Sequence, residues 1–290
     1  MSWRTIVISK SAKLDYSMGY MVVRGYETTR IHMDEIHMVI VETTAVSLTA
    51  ALLAELSKNK IKIIFCDEKR NPSSELIPYY GAFDTSSKIK KQIEWSDDIK
   101  GAVWTEIVGE KIRKQSELLS EKNCPEADML KGYIQELEFG DATNREGHAA
   151  KVYFNALFGK EFTRTAENSI NAALNYGYGI VLSCFTREIV ANGYLTQLGL
   201  FHDNMFNKFN LASDLMEPFR PIVDRIVKEM FPLKFDSEEK HEILELLESE
   251  VVINDKHEIF INAIKIYTKS IFDALNDSDT SLIRFYRYEL

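Results

Sequence analysis

Cysteine is scarce in this chain: Cys66, Cys124 and Cys184 are the only three in 290 residues, far apart and odd in number. No CxxC pair or Cys/His cluster occurs, which argues against a disulfide framework or a structural zinc site and fits a reducing compartment. Six prolines and 13 glycines are too few for a collagen-like or linker-rich protein. No apolar run approaches the roughly 18 residues of a membrane span. The opening Met1-Ser2-Trp3-Arg4 leads into only a short apolar stretch, so a cytoplasmic protein with no membrane partner is expected. Positive charge is also in deficit, with 35 Lys and Arg against 44 Asp and Glu for a net −9. The overall field opposes nucleic acid, so DNA binding requires a local basic patch or a basic partner. What is present, 45% hydrophobic and 27% charged residues, is ordinary globular composition, long enough for one large domain or two modest ones.

The pattern changes character along the chain. Short β-type runs occupy 3–8, 21–24, 38–41 and 61–65, with turn-like breaks at 9–13, 17–19 and Gly25. Leu48, Leu52, Leu53 and Leu56 form a helical stripe introduced by Ser47 as N-cap. Asn71-Pro72-Ser73-Ser74, Pro78 and Gly81 mark the boundary. Beyond it, helical periodicity runs through 87–119, 128–137, 144–158, 165–191, 213–230, 238–247 and 257–275. The expectation is an α+β chain: a small N-terminal β-rich domain over 1–75, a linker over 76–86, and a larger all-α helical domain over 87–290. Gly177 and Gly179 lie inside one helical stretch, where each costs roughly 1 kcal/mol relative to Ala, so something should approach or bend the helix there. Tyr176-Gly177-Tyr178-Gly179 is not a phosphate-cradling loop, because no strand precedes it and a third glycine is missing.

Three constellations could carry chemistry. In Asn144-Arg145-Glu146-Gly147-His148-Ala149-Ala150, Asn144 or Thr143 caps a helix whose first turn carries Glu146, on the face of Ala149, Ala150 and Tyr153. The alternative for Glu146 is a carboxylate that only complements the helix dipole. In Leu198-Gly199-Leu200-Phe201-His202-Asp203 a lone His follows an apolar turn, and its alternative is a hydrogen-bonded core histidine. The His202-Asp203 doublet is similar to that of metal-dependent phosphohydrolases, but the other histidines those enzymes need are not placed to help. In Ser213-Asp214-Leu215-Met216-Glu217-Pro218-Phe219-Arg220-Pro221 the spacing of Asp214 and Glu217 is that of a capping box, and the prolines fit a helix start. Asp214 could equally be a plain N-cap, and Arg220 and Asp224 have the i,i+4 spacing of an ion pair. Two Glu and one His from three helices could converge on one site. Carboxylate and imidazole without thiolate suit Mg²⁺ or Mn²⁺, and a hard divalent ion implies phosphoryl chemistry.

Arg145-Glu146-Gly147-His148 with Tyr153, then Leu174-Asn175-Tyr176-Gly177-Tyr178, Gly199-Leu200-Phe201-His202, and Asp214-Leu215-Met216-Glu217-Pro218-Phe219-Arg220-Pro221 with Asp224, together resemble the CRISPR-associated integrase of spacer acquisition, the first Cas protein. Trp3-Arg4-Thr5 and Phe65-Cys66-Asp67 before Pro78-Tyr79-Tyr80 look like its type II, Cas9-associated branch. The resemblance covers nearly the whole chain; the acidic stretch 236–255 is the least similar part.

That resemblance implies an N-terminal domain that forms a homodimer and a helical domain that holds Mg²⁺ or Mn²⁺ through Glu146, His202 and Glu217. Asp214 matches a further acidic position of some relatives. The implied reaction is attack of the 3′-hydroxyls of a captured double-stranded fragment, the prespacer, on a phosphodiester of the CRISPR repeat. With water as attacker it becomes metal-dependent DNA endonuclease activity. The implied partner is a small second Cas protein with a ferredoxin-like fold, whose dimer bridges two dimers of this chain into a heterohexamer; Cas9 and a further adaptation accessory protein are additional candidates. Arg24, Arg30, Arg145, Arg164, Arg187 and Arg220 are candidate DNA contacts, with Arg145 and Arg220 foremost and a structural salt bridge as the alternative for each. The terminal Arg284-Phe285-Tyr286-Arg287-Tyr288 could stack on bases or dock against its own domain. The competing function is a DNA-binding scaffold of the same complex with a dispensable metal site. A helical regulatory protein whose acids are only caps is a third reading.

Overall fold

The computed structural model describes residues 4–79 and 82–288; the expectations that rest on Trp3, Tyr80 and Gly81 lie outside the described residues. The chain divides into two compact units, residues 1–83 and 84–290.

The first unit holds two four-stranded sheets. Its strands are β1 (Arg4–Ile8), β2 (Ala12–Ser17), β3 (Tyr20–Arg24), β4 (Thr28–His32), β5 (Ile36–Val41), β6 (Val46–Leu48), β7 (Lys62–Cys66) and β8 (Pro72–Glu75). β5 is buried at every position, as suits a strand apolar on both faces, and it pairs in parallel with β1 and β7. β8 adds antiparallel to β7 at the edge, where Pro72 is tolerated. The second sheet has the order β4-β3-β2-β6. Four of these strands, β2, β4, β6 and β8, fall where the sequence shows turns or no pattern. β2 buries Leu14 alone and β4 Ile31 alone, so neither carries the apolar run that announces a strand. Helix α1 (Ala50–Lys58) is capped by Thr49, whose hydroxyl accepts from the Leu52 amide at 3.3 Å, rather than by Ser47, which lies in β6. Leu52 and Leu56 are buried against Leu14, Met21, Ile36, Val39 and Ile63. Each such leucine is worth roughly 1.5–3 kcal/mol of burial.

The second unit is mostly helical: α2 (Thr85–Glu94), α3 (Asp97–Glu121), α4 (Ala127–Gln135), α5 (Arg145–Phe158), α6 (Ser169–Ala191), α7 (Asn210–Leu215), α8 (Arg220–Met230), α9 (Ser237–Leu244) and α10 (Phe260–Asp277). What looks like one helix over 87–119 is two. The first ends at Glu94 with Trp95 as its C-cap, and Ser96 caps the second, its hydroxyl accepting from the Ile99 amide at 3.3 Å. A hairpin of β9 (Glu250–Ile253) and β10 (Lys256–Ile259) stands before α10, so the unit is not all-α and His257 belongs to a strand. Asn254 and Asp255 both take positive φ, 53° and 57°, the backbone of a tight hairpin turn. The acidic flanks of this segment hide its short Val251-Val252-Ile253 run.

Helix α3 packs against α4, α5, α7, α8 and α10 and is buried nearly all round. The expected close approach at Gly177 is present: a Cβ there would lie 2.4 Å from Val223 Cγ1 on α8 and 3.3 Å from Ile243 Cγ2 on α9. The terminal segment docks on its own unit. Tyr286 is buried, its hydroxyl donates to the Pro218 carbonyl at 3.2 Å, and Arg287 exchanges backbone hydrogen bonds with Val252. Tyr286 is a core element, Phe285 is half-buried and Tyr288 is exposed.

Candidate active site

Glu146 is positioned by the start of α5. The Asn144 side chain accepts from the Gly147 amide at 3.3 Å, and Asp141 accepts from the amides of Arg145 (2.6 Å) and Glu146 (3.2 Å). Two side chains thus satisfy the orphan donors of the first turn. Ala149 and Tyr153 on the same face are fully buried, which turns Glu146 inward.

Glu217 opens a 3₁₀ turn, Glu217–Phe219, between α7 and α8. Pro218 and Pro221 lack the N–H that would carry α7 onward, so the chain turns here instead of helixing straight through. The expected capping box does not form: Asp214 lies inside α7, and α8 starts at Arg220.

The two glutamates converge on a cation that the sequence analysis did not anticipate. The Lys111 ammonium, from the middle of α3, lies 2.5 Å from Glu146 Oε1 and 2.5 Å from Glu217 Oε2. Its only signal in the sequence is a lysine seven residues after Trp104 and four after Ile107, on a stripe that is otherwise core. Arg220 Nε donates to Glu217 Oε1 at 2.9 Å, and its guanidinium lies 4.6 Å from the Tyr178 ring centroid. Arg220 therefore pairs with Glu217 and not with Asp224. Burial pushes the Glu217 carboxyl up, but Arg220 and Lys111 together outweigh burial and hold it well below the usual carboxylate range.

His202 is set by Asp214. The fully buried Asp214 carboxylate accepts from the amides of Leu200 (2.6 Å), Phe201 (3.1 Å) and His202 (3.2 Å) and lies 2.5 Å from His202 Nδ1. A Cβ on Gly199 would lie 2.3 Å from the His202 carbonyl oxygen and 2.8 Å from Asp214 Oδ2, so this loop closes only around glycine. Trp104 supports it from below, stacked on Phe201 at 4.6 Å and edge-on to His202 at 5.9 Å. The hydrogen bond to Asp214 raises the His202 pKa against partial burial, and Glu217 and Glu146 add to the rise. Asp214 thus positions the loop and the imidazole, with both of its oxygens engaged there.

Five of the six candidate DNA contacts are engaged within the protein, while Arg30 is exposed on β4. Arg145 pairs with Glu136 at 3.0 Å, Arg24 bonds Asp15 at 2.8 Å, Arg164 bonds Asn171 at 2.5 Å, and Arg187 pairs with Glu188. Arg220 holds Glu217.

Beneath Arg220, Asp224 accepts from the Tyr153 hydroxyl at 2.9 Å and from that of Tyr178. Burial pushes its carboxyl up to about 6 even though both hydroxyls and the nearby Arg164 and Arg220 act to lower it. Between its ordinary 3.8 and about 6, the unfolded chain releases a proton that the folded chain keeps, so this group makes stability fall as pH rises through that window. The fall should reach roughly 3 kcal/mol. Urea unfolding from pH 4 to 6.5 should show Asp224→Asn with a flatter profile than wild type; parallel profiles would contradict the assignment.

Among the described residues, no group of three or more His, Cys, Asp and Glu side chains forms a cage for a metal ion, and Lys111 stands between two of the three expected ligands. The chemistry of the donors nevertheless fits a hard divalent ion: two inward carboxylates already share one cation, and the neighbouring imidazole has one nitrogen fixed by a carboxylate, as ligating histidines usually do.

The fold is a β-rich unit followed by a mostly helical one, and on the helical unit Glu146 and Glu217 share the Lys111 ammonium while Asp214 holds His202. The sequence profile of CRISPR associated protein Cas1 matches residues 5–257, and the chain belongs to that family. It is 31% identical over 304 residues, covering 100% of both chains, to the CRISPR-associated endonuclease Cas1 of Neisseria meningitidis serogroup C (strain 8013). Its fold is similar to that of a casposase bound to integration product, with a TM-score of 0.77 and 17% identity over 96% of this chain and 92% of that one. It is also similar to part of a chain in a Cas6-RT-Cas1–Cas2 complex, with a TM-score of 0.75 and 17% identity over 97% of this chain and 36% of that longer one. Among the described residues no helix is long and apolar enough to cross a membrane.

Proposed function

We propose that this Cas1-family protein is a DNA integrase of CRISPR adaptation, joining prespacer 3′-hydroxyls to the repeat and acting as a DNA endonuclease when water is the attacker. One observation carries the reading: Glu146 and Glu217, 71 positions apart in sequence, place carboxylate oxygens 2.5 Å from a single cation. Glu146, Glu217 and the His202 nitrogen that Asp214 leaves open would hold Mg²⁺ or Mn²⁺. When bound, that ion supplies polarisation of the scissile phosphate and stabilisation of the leaving oxygen. Asp214 fixes the imidazole ring, and Arg220, braced on Tyr178, fixes the Glu217 carboxylate. The nucleophile comes from DNA, so no Ser or Cys is needed beside the site.

The named relatives support this reading: an endonuclease at 31% identity over its full length, and a similar fold in a casposase bound to integration product. Full-length similarity to the Neisseria protein also supports the type II branch, and the Cas1–Cas2 complex of similar fold supports a second Cas protein as partner. A net charge of −9 calls for such a partner to help carry DNA. In this reading the N-terminal unit forms the homodimer, the protein is cytoplasmic, and Cas9 and an accessory protein join the complex.

The scaffold reading draws on one observation, the lysine between the glutamates. The two separate on joining of a labelled duplex to a plasmid bearing a repeat array: the integrase reading expects products that require Mg²⁺ or Mn²⁺ and vanish with chelator, whereas the scaffold reading expects binding without joining.

A further inference from the structure

We infer that Lys111 is a tethered counter-cation of the metal site, one that fills it in the metal-free protein and must withdraw for a divalent ion to bind; this rests on the metal reading above. Glu217 has a side chain only 4% exposed and Glu146 one 21% exposed. Two carboxylates brought this close with little water between them repel, and an uncompensated buried charge is costly. The Lys111 ammonium removes that cost by touching both, 2.5 Å from each. It is itself only 8% exposed, so it is a built part of the site and not a surface side chain that has drifted in.

The same contact sets a condition on metal binding. A divalent ion held between these carboxylates would share their oxygens with an ammonium already at hydrogen-bond distance, and two cations side by side in a shielded site repel. The lysine stem can resolve this without moving α3: four flexible carbons allow the head to leave while the backbone stays packed. Arg220 cannot substitute, because its planar guanidinium is braced against Tyr178 and bonds Glu217 through the other oxygen, Oε1. The site therefore has one fixed cation that orients a ligand and one mobile cation that occupies the ion's place. Metal affinity is set by competition with Lys111, which also stabilises the metal-free protein.

Mn²⁺ titration of the full-length protein by calorimetry, with thermal melts in chelator and in Mn²⁺, tests this without any activity readout. Lys111→Met, which keeps the stem and removes the charge, should bind Mn²⁺ at least about tenfold more tightly than wild type. It should also melt lower in chelator and gain more from Mn²⁺ than wild type does. Lys111→Gln serves the same purpose where the Met variant fails to fold. Equal or weaker Mn²⁺ binding by a folded Lys111 variant, with wild-type binding intact and lost in His202→Ala, would overturn the inference while leaving the metal site standing. No saturable Mn²⁺ binding in either wild type or variant would overturn the metal reading and this inference with it.

Discussion

Asp214→Ala should lose strand transfer and roughly 2–4 kcal/mol of stability together, because one side chain closes the loop that carries His202. Its carboxylate accepts three consecutive amides, those of Leu200, Phe201 and His202, and also holds His202 Nδ1. Alanine would leave those donors facing a small void and free the imidazole to rotate. Asp214→Asn is the sharper probe. It preserves volume, but its amide end turns a donor toward backbone amides, so it should recover only part of the stability and little of the activity. Urea unfolding with parallel joining assays checks both. An Asp214→Ala protein that melts like wild type and still joins DNA would show that the loop does not depend on this carboxylate.

Glu217→Ala should destabilise the metal-free protein by about 3–5 kcal/mol, which is what removing one partner of a buried ionic cluster costs. Considered only as one of several metal-binding carboxylates, Glu217 would be cheap to delete, since its loss would relieve repulsion. The structure reverses that expectation: Lys111 and Arg220 both bond Glu217, and alanine leaves the two cations facing each other. Glu146→Ala should cost less, because Glu146 is more exposed and Lys111 keeps Glu217. Thermal melts in chelator give the ranking directly; Glu146→Ala melting below Glu217→Ala would contradict this account of the cluster.

These two residues also mark how far the sequence could be read. Glu146 was legible because Asn144 and the Ala149, Tyr153 face specify a capped, inward-looking helix. The β5 and β7 strands were legible from their apolar runs, and the approach at Gly177 from glycine in a helix interior. The role of Asp214 was not: its spacing to Glu217 suits a capping box, but Asp214 sits inside α7, which ends at Leu215 ahead of the Glu217–Phe219 turn, and its carboxylate bonds a loop 12 to 14 residues upstream. Lys111 was hidden for a similar reason. It lies 35 residues before Glu146 and 106 before Glu217, and only tertiary packing of α3 against α5 and the turn at Glu217 brings the three together. The polar strands β2 and β4 were missed because pairing with β3, not their own hydrophobicity, holds them in place.

His202 offers the cleanest separation of chemistry from folding. Its side chain is 38% exposed, and in its absence Asp214 still accepts three amides, so His202→Ala should fold as wild type does. The most direct test of the integrase account is therefore a strand-transfer assay with a labelled duplex bearing free 3′-hydroxyls, a supercoiled plasmid carrying a repeat array, the small second Cas protein, and Mg²⁺ or Mn²⁺ against chelator. Metal-dependent joining by wild type that His202→Ala abolishes is the predicted result. DNA binding without joining under either metal, or joining that His202→Ala leaves unchanged, would contradict it.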